Sequence, residues 1–138
     1  MSFENNIERR LVLDDEDLPV IEFSYGHGIG EALAYISPQT SRLNIDTIKV
    51  HHRARNQGIG KAILRSIKNL AHETDIHIVT ATIISRESID SMTSVFGEDA
   101  VVIRKRGEYG FAESGEHLQA IQPASARLRY DVNRFHLE

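Results

Sequence analysis

The residues best suited to bind an anion lie in a short glycine-rich loop, NQGIGK, at positions 56–61. An apolar run with a helical period begins within this loop, and the free N–H groups at a helix N-terminus attract phosphate. The two glycines let a ligand approach the backbone without meeting a Cβ atom. Lys61 ends the loop, and Arg53 and Arg55 add positive charge at its start. This stretch is therefore predicted to cradle a phosphate group.

The same Gly-Ile-Gly triplet occurs earlier, at positions 28–30 in GHGIGEALAYI. Here Glu31 follows the triplet, and its carboxylate would repel a phosphate. A Ser-Pro pair at 37–38 stops any helix within about two turns, and a helix that short is marginal. The first triplet is therefore predicted to form a glycine-rich hairpin that joins two antiparallel strands.

Known phosphate-binding patterns narrow the ligand of the second triplet. The Walker pattern would need a glycine where Arg55 stands and a serine or threonine where Ala62 stands. The dinucleotide pattern GxGxxG would need its third glycine at Ile63. A magnesium-bound triphosphate and NAD are both disfavoured, which leaves a metal-free pyrophosphate held by backbone amides.

The strand that leads into this loop changes phase midway. Leu43 and Ile45 share one face by alternation, whereas Ile48 and Val50 have the opposite parity. A one-residue phase change predicts a β-bulge near Asp46, which would bend the strand and open its pairing.

The segment after the loop has apolar residues at steps of four, four and three, which predicts an amphipathic helix from about 57 to 72. Its polar side, with Lys61, Arg65 and Lys68, is expected to face outward. The predicted buried stripe consists of Ile59, Ile63, Ile67 and Leu70.

The rest of the chain alternates between strand and helix patterns, and no linker divides it, so residues 1–138 are predicted to form a single domain. A second helix is expected after Ser85, which resembles an N-cap, and Met92 should lie on its buried side. Residues 107–123 read as a glycine-containing polar stretch. Further strands are predicted over residues 11–13, 20–25, 30–37, 76–84, 100–104 and 126–132. This order predicts an α/β layered fold with a mixed sheet.

Composition and charge exclude several functions. The chain has no cysteine, so thiolate nucleophiles and cysteine-bound zinc are absent, and a net charge of −4 argues against nucleic acid as a partner. The sequence contains no membrane-length apolar run and no secretory signal, so we expect a cytoplasmic protein without a membrane partner. His51 and His52, adjacent on a strand end, should point to opposite faces, and no metal site is predicted.

The segment VHHRARNQGIGKAIL, from Val50, resembles motif A of the GNAT superfamily of N-acetyltransferases. That motif reads [Q/R]-x-x-G-x-[G/A] between a bulged strand and a long helix, and Arg55, Gly58 and Gly60 fill its fixed positions. The resemblance extends over roughly residues 42–97. It implies a GNAT-like mixed, mostly antiparallel sheet with two main helices.

The resemblance also implies acetyl-CoA as the co-substrate, without a metal, bound in a gap between two splayed strands. The loop amides would hold its pyrophosphate, the strand backbone would pair with its pantetheine arm, and the N–H of Val50 would polarise the thioester carbonyl. Ser85 stands where many members carry an asparagine that touches the cofactor, although a plain N-cap is an equal interpretation. The implied cofactor-binding residues are Ile48, Val50, Arg55, Asn56, Gln57, Gly58, Ile59, Gly60, Lys61 and Ser85.

The implied reaction is direct transfer of an acetyl group to an amine, helped by a general base and a general acid. Asp46, on the bulged strand, is the candidate base. The family's usual acid, a tyrosine, is replaced here by Met92. Tyr109 and Tyr130 are the remaining candidate phenols, with Tyr109 preferred because its segment would fold over an acceptor.

The acceptor side departs from the family pattern, because only residues 14–19 link the first two strands where a pair of helices is usual. An open site favours a protein side chain or an exposed amine over a small buried metabolite, or a second subunit of a homodimer completes it. The acidic run at 14–17 is a solvated turn or attracts a cationic amine. The alternative to an enzyme is a non-catalytic module that binds CoA or a partner protein.

Overall fold

The computed structural model describes residues 6–26, 28–37, 39–55, 57–83, 86–105, 108–111 and 126–133. The elements are β1 (Glu8–Leu13), β2 (Pro19–Tyr25), β3 (Gly30–Ser37), β4 (Arg42–Val50), α1 (Ile59–Glu73), β5 (Ile78–Ile83), α2 (Arg86–Phe96), β6 (Val101–Lys105), β7 (Glu108–Phe111) and β8 (Ala126–Asp131). Short 3-10 helices follow β4 and α2, at His52–Ala54 and Glu98–Ala100.

The eight described strands form one mixed sheet in the order β1-β2-β3-β4-β5-β8-β6-β7. Only the central pair, β4 with β5, runs parallel, because α1 crosses over between these two strands. All the other neighbours are antiparallel. The predicted fold class, a mixed and mostly antiparallel sheet with two main helices, is confirmed.

The core lies between the sheet and the two helices, which pack on the same face. The predicted stripe of α1 is correct: Ile59, Ile63 and Ile67 are buried, and Leu70 is half-buried against them. Burying each isoleucine contributes roughly 1.5–3 kcal/mol, which holds α1 in place more strongly than its helix propensity does. Phe23 and the small side chain of Ala32 face α1 from the sheet.

The first Gly-Ile-Gly triplet forms a hairpin turn between β2 and β3, as predicted. Gly26 and Gly28 have φ angles of +62° and +76°, the left-handed region that glycine tolerates. Gly30 has a different role. A Cβ atom there would lie 2.9 Å from Cγ2 of Ile59 and 3.1 Å from Cδ1 of Ile63, so its missing side chain lets α1 approach β3 closely.

Two details of the sequence interpretation of the strands and helices were wrong. Residues 108–111 form strand β7, although no strand was predicted in the polar stretch over 107–123; most of that stretch lies outside the described residues. Lys68 does not face outward. Its Nζ donates to the carbonyl of Val95 near the C-terminus of α2 at 3.0 Å and lies 5.6 Å from the ring centroid of Tyr130. Burial lowers the pKa of Lys68, with the nearby charge of Arg65 adding to the effect.

Candidate functional site

A β-bulge at Asp46 determines the path of the central strand. Leu33 pairs with Thr47 and the next residue of β3, Ala34, pairs with Ile45, so Asp46 is the extra residue on β4. The predicted phase change is therefore confirmed.

Beyond the bulge, β4 separates from β5. The parallel pairing covers only Arg42–Ile45 of β4, whereas β3 stays paired along β4 as far as Val50. The N–H of His51 donates to Ile29 O on the β3 side at 2.7 Å. Because backbone groups alternate along a strand, the N–H groups of Ile48 and Val50 point to the other edge, toward the gap. The gap is thus lined by backbone donors that have no strand partner among the described residues.

The second Gly-Ile-Gly triplet places the start of α1 at this gap. Gly58 is the N-cap, with a φ angle of +90° that favours glycine, and the first helical hydrogen bond runs from Ala62 N to Gly58 O at 3.0 Å. The N–H groups of Ile59, Gly60 and Lys61 precede that bond and therefore have no partner within the helix. A Cβ atom on Gly60 would lie 3.6 Å from Cγ2 of Val50, an ordinary contact, so the free protein does not require glycine here.

These elements enclose a cleft of about 570 Å³, a size typical of sites for small molecules and cofactors. One wall is the free half of β4, another is α2, and the loop and first turns of α1 lie between them. The lining residues are Ile48, Lys49, Val50, Ala54, Arg55, Gly58, Ile59, Gly60, Lys61, Leu64, Ser88, Asp90, Ser91 and Met92.

The segment between β4 and α1 folds back onto the strand. Arg55 Nε donates to the carbonyl oxygen of Val50 at 3.3 Å, which occupies that carbonyl and leaves the N–H of Val50 facing the gap. His51 and His52 do not point to opposite faces, contrary to the sequence prediction, because the strand ends at Val50 and a 3-10 helix begins. Their rings stack with centroids 4.5 Å apart. Among the described residues, no group of three or more acidic or histidine side chains is placed to hold a metal ion.

Seven of the ten residues expected to bind a cofactor line this one cleft. Gln57 lies in the loop without lining the cleft, and Asn56 and Ser85 lie outside the described residues. The seven are Ile48, Val50, Arg55, Gly58, Ile59, Gly60 and Lys61.

The candidate acid–base residues are placed differently. Asp46 is exposed at the point where β4 leaves β5, and it does not line the cleft. Tyr109 pairs with Arg104 in the antiparallel β6–β7 ladder. Tyr130 is a core residue: it is 1% exposed, and its hydroxyl lies 2.6 Å from His72 Nε2. Burial raises the pKa of Tyr130. Because Tyr130 is buried in the core and does not line the cleft, it is not placed to act as an acid there.

The sequence interpretation missed the wall that α2 contributes. Ser88 and Ser91 are three residues apart on one helical face, next to Met92, which is buried as predicted but also reaches the cleft. The sequence offered no signal for them, because serines at this spacing are equally consistent with a solvated helix face. Asp90, Lys49, Ala54 and Leu64 were also missed.

The sequence matches no protein-family model, and no curated protein matches it. Solved structures do match the fold. An acetyltransferase from Bacillus subtilis in complex with CoA aligns with a TM-score of 0.58 and 13% identity, over 91% of this chain and 98% of that one. An acetyltransferase of the GNAT family from Staphylococcus aureus aligns with a TM-score of 0.50 and 14% identity, over 83% of this chain and 68% of that one.

A third structure is that of a mutant AtaT toxin bound to acetyl-CoA and to the C-terminus of the antitoxin AtaR. It aligns with a TM-score of 0.51 and 10% identity, over 87% of this chain and 70% of that one. Similarity at such low identity establishes the fold alone. The chain has the fold of the GNAT acetyltransferases.

Proposed function

We propose that this protein is an acetyl-CoA-dependent N-acetyltransferase that moves an acetyl group directly to an amine. One observation carries the proposal: the backbone donors of β4 that have no strand partner in the described part of the chain line the same cleft as the first N–H groups of α1, which have no partner within the helix. A ligand with a diphosphate at one end and an amide-containing arm at the other would satisfy both sets of donors. Acetyl-CoA has that composition and supplies an activated acetyl thioester.

The loop residues would hold the diphosphate. The N–H groups of Ile59, Gly60 and Lys61 lie at the positive end of the dipole of α1. The side chains of Lys61 and Arg55 add positive charge there. The position of Gly60 also suits the ligand, because the bare backbone lets a phosphate oxygen approach where a methyl group would stand. Asn56 and Gln57 extend the same loop, and we assign them to this subsite as well.

The free half of β4 would hold the reacting end. The N–H groups of Ile48 and Val50 face the gap and are fixed by the ladder to β3. The N–H of Val50 would donate to the thioester carbonyl and stabilise the charge that develops on its oxygen during attack. Ser85, immediately before α2, would touch the cofactor from the opposite wall.

Asp46 and Tyr109 are our candidates for proton transfer. The amine nitrogen forms its bond to the acetyl carbon as the carbon–sulfur bond breaks, so a proton leaves the nitrogen and the thiolate gains one. Asp46 lies on the bulge, where β4 turns its side chain out of the regular alternation, and it would accept the proton. Tyr109 would protonate the thiolate.

The acceptor is proposed to be a protein side chain or another exposed amine. The link between β1 and β2 is a tight turn in which Asp14 Oδ1 accepts from the N–H groups of Glu16 and Leu18, both at 2.9 Å. A turn this short leaves that end of the sheet open to a large acceptor.

A second candidate function is a non-catalytic module that binds CoA or a protein. Met92 stands where the family's usual tyrosine acid is expected, is 2% exposed, and has a thioether that cannot donate a proton. Tyr130 is likewise excluded by its burial. If transfer requires a side-chain acid and the cleft has none, the cleft would bind CoA without turnover.

One experiment separates these functions. Thermal unfolding is measured with acetyl-CoA, with CoA and without ligand, and a thiol reagent then follows CoA release with a panel of amines and protein lysates. The chain has no cysteine, so the protein gives no thiol background. Stabilisation with amine-dependent release supports the enzyme, and stabilisation without release supports the binding module. A protein that neither ligand stabilises would contradict the enzyme and the module that binds CoA.

A further inference from the structure

The outer edge of β1 exposes apolar side chains. Leu11 and Leu13 are 67% and 63% exposed. β1 is the first strand in the sheet order, and no described strand pairs with its outer edge. Edge strands are normally protected by charged side chains, proline, a bulge or extreme shortness. The charges of β1 lie in its first half, Glu8–Arg10, whereas the Leu11-Val12-Leu13 run has none of these features. This edge is therefore able to accept another strand.

The backbone direction of β1 follows from its hairpin. Asp14 N donates to Leu18 O at 3.0 Å, so the even-numbered residues of β1 turn their N–H and C=O groups toward β2. Pro19, which has no N–H, lies opposite Leu13, as a non-hydrogen-bonded pair requires. The backbone groups of Leu11 and Leu13 consequently point to the open edge.

The two leucines lie on the face of the sheet that carries α1. The cross-strand partner of Leu11 is Ile21, a core residue. Arg9, two residues earlier on the same face, donates to Ser66 of α1 at 3.1 Å and pairs with Glu73 at 3.0 Å. Leu11 and Leu13 thus continue the apolar face of the sheet beyond the point that α1 covers.

We infer that β1 pairs antiparallel with β1 of a second copy of this chain, about a two-fold axis at Val12. In this register Leu11 lies opposite Leu13 of the second copy, and the converse pair follows by symmetry. Four leucines then cover one another on the α1 face, and the backbone groups at the open edge acquire partners.

Charge and the pairing of the leucines distinguish this register from its neighbours. With the axis at Val12, Arg10 lies opposite Asp14 of the second copy. Within its own chain Arg10 makes one long ion pair, with 3.7 Å between its Nε and Oε2 of Glu22, and its side chain is 75% exposed. An axis at Leu11 would instead place Glu8 opposite Asp14, and an axis at Arg10 would place that arginine opposite itself. Like charges directly opposite each other are destabilising. The axis at Val12 has one such pair, Glu8 with Glu16 beyond the end of the strand, but it also places Arg9 and Arg10 opposite Asp15 and Asp14. An axis at Leu13 would keep opposite charges facing each other but would place Leu11 opposite Asp15. The leucine pairs and the charges together therefore favour the axis at Val12.

This inference does not depend on the proposed function. β1 is separated from β4 by two strands, so the pairing leaves the cleft open. It gives a role to the exposed leucines and to the acidic turn, neither of which the cleft uses.

A cysteine scan tests the register, because the chain has no cysteine of its own. In the proposed pairing Val12 lies opposite itself in a non-hydrogen-bonded pair, with Cα atoms about 4.5 Å apart, within the range a disulfide spans. Val12→Cys should therefore form a covalent dimer on mild oxidation. Leu11→Cys and Leu13→Cys should not form a covalent dimer. In each of these variants the Cα atoms of the two introduced cysteines would be about 8 Å or more apart, because each residue lies opposite a different residue of the second copy. Preferential cross-linking of either of these two would overturn the axis at Val12.

Sedimentation measurements test the dimer itself. The unmodified chain should show a reversible, concentration-dependent species of twice the monomer mass. Leu11→Lys replaces two central leucines per dimer with like charges and should raise the dissociation constant by about 100-fold or more. Leu18→Lys is the matched control, because Leu18 is 45% exposed but lies outside the paired strand, and it should leave the dissociation constant within about threefold. A chain that stays monomeric at all concentrations, or equal loss in both variants, would overturn the proposal.

Discussion

Gly60 is the residue at which the needs of the fold and of a ligand separate most clearly. A Cβ atom would fit against Val50 in the free protein, and alanine is a better helix former than glycine by about 1 kcal/mol. Folding alone would therefore favour alanine at this position. Access of a ligand to the N–H groups of α1 is the remaining physical reason for glycine.

Gly60→Ala should accordingly raise stability and weaken binding. We expect the free energy of unfolding in urea to rise by up to about 1 kcal/mol, and affinity for acetyl-CoA, measured by calorimetry, to fall about tenfold or more because the methyl group displaces a phosphate oxygen. Gly58→Ala is the comparison: its φ angle of +90° is strained for alanine, so that variant should lose about 1 kcal/mol or more of stability. If Gly60→Ala bound acetyl-CoA with unchanged affinity, the proposal that this loop binds the diphosphate would be contradicted.

Asp46 makes a second prediction at the residue scale. If it accepts the proton from the amine, Asp46→Asn should lower kcat by about 10²–10⁴-fold. Affinity for acetyl-CoA should stay within about twofold, since Asp46 does not line the cleft and binding through the loop does not involve it.

The matched control for Asp46 is Asp131→Asn on β8. Asp131 Oδ1 accepts from Asn133 N at 3.1 Å, a hydrogen bond that asparagine can also accept, so this exposed carboxylate can be removed without losing the turn. Its kcat should not change. A normal rate in Asp46→Asn would assign the base elsewhere.

At the scale of elements, the sequence predicted what depends on neighbours along the chain. The parity change between Ile45 and Ile48 predicted the bulge, and the period after Gly58 predicted α1, because each is a local pattern with one structural interpretation. The failures involve contacts between distant elements. Lys68 fits an exposed position of α1 by period, but the carbonyl that binds it belongs to Val95 in α2. β7 has only four residues, too few to show alternation, and its existence depends on pairing with β6.

Packing between the two Gly-Ile-Gly triplets is likewise invisible in the sequence and leads to a prediction about α1. Gly30→Ala would place a methyl group 2.9 Å from Cγ2 of Ile59 and 3.1 Å from Cδ1 of Ile63, both buried. The helix must move away from β3, which we expect to cost about 1–3 kcal/mol of stability in thermal or urea unfolding. Because Ile59 directly follows the N-cap, affinity for acetyl-CoA should fall several-fold as well.

Gly28→Ala is the control for this packing effect. Its Cβ atom would have no neighbour within 4 Å, so only the strain of a φ angle of +76° remains. Stability should fall by about 1 kcal/mol, with affinity for acetyl-CoA unchanged. Equal effects of the two substitutions would show that the turn, not the contact with α1, is what Gly30 supports.

At the scale of the whole molecule, the sheet consists of two antiparallel groups joined at one seam. β1 to β4 form a meander, β5 to β8 form a second group, and the seam between β4 and β5 contains four residue pairs, from Arg42–Ile78 to Ile45–Ala81. One side-chain hydrogen bond, from Thr80 Oγ1 to Asn44 Oδ1 at 2.9 Å, also crosses it. The cleft begins where these pairs end, so a ligand in it would contact β4 on one side and α2, which belongs to the second group, on the other.

Hydrogen exchange should detect that bridging. In the free protein the amides of Ile48 and Val50 face the open gap and should exchange quickly, because they have no strand partner there. Saturating acetyl-CoA should slow exchange by about tenfold or more in the free half of β4 and in the first turn of α1, and should add about 2.7 kcal/mol of global stability at one hundred times the dissociation constant. Exchange in the β1–β2 hairpin, two strands away, should slow only as far as the gain in global stability slows it. Protection confined to that hairpin, with β4 unaffected, would place the ligand outside the seam and contradict the proposed site.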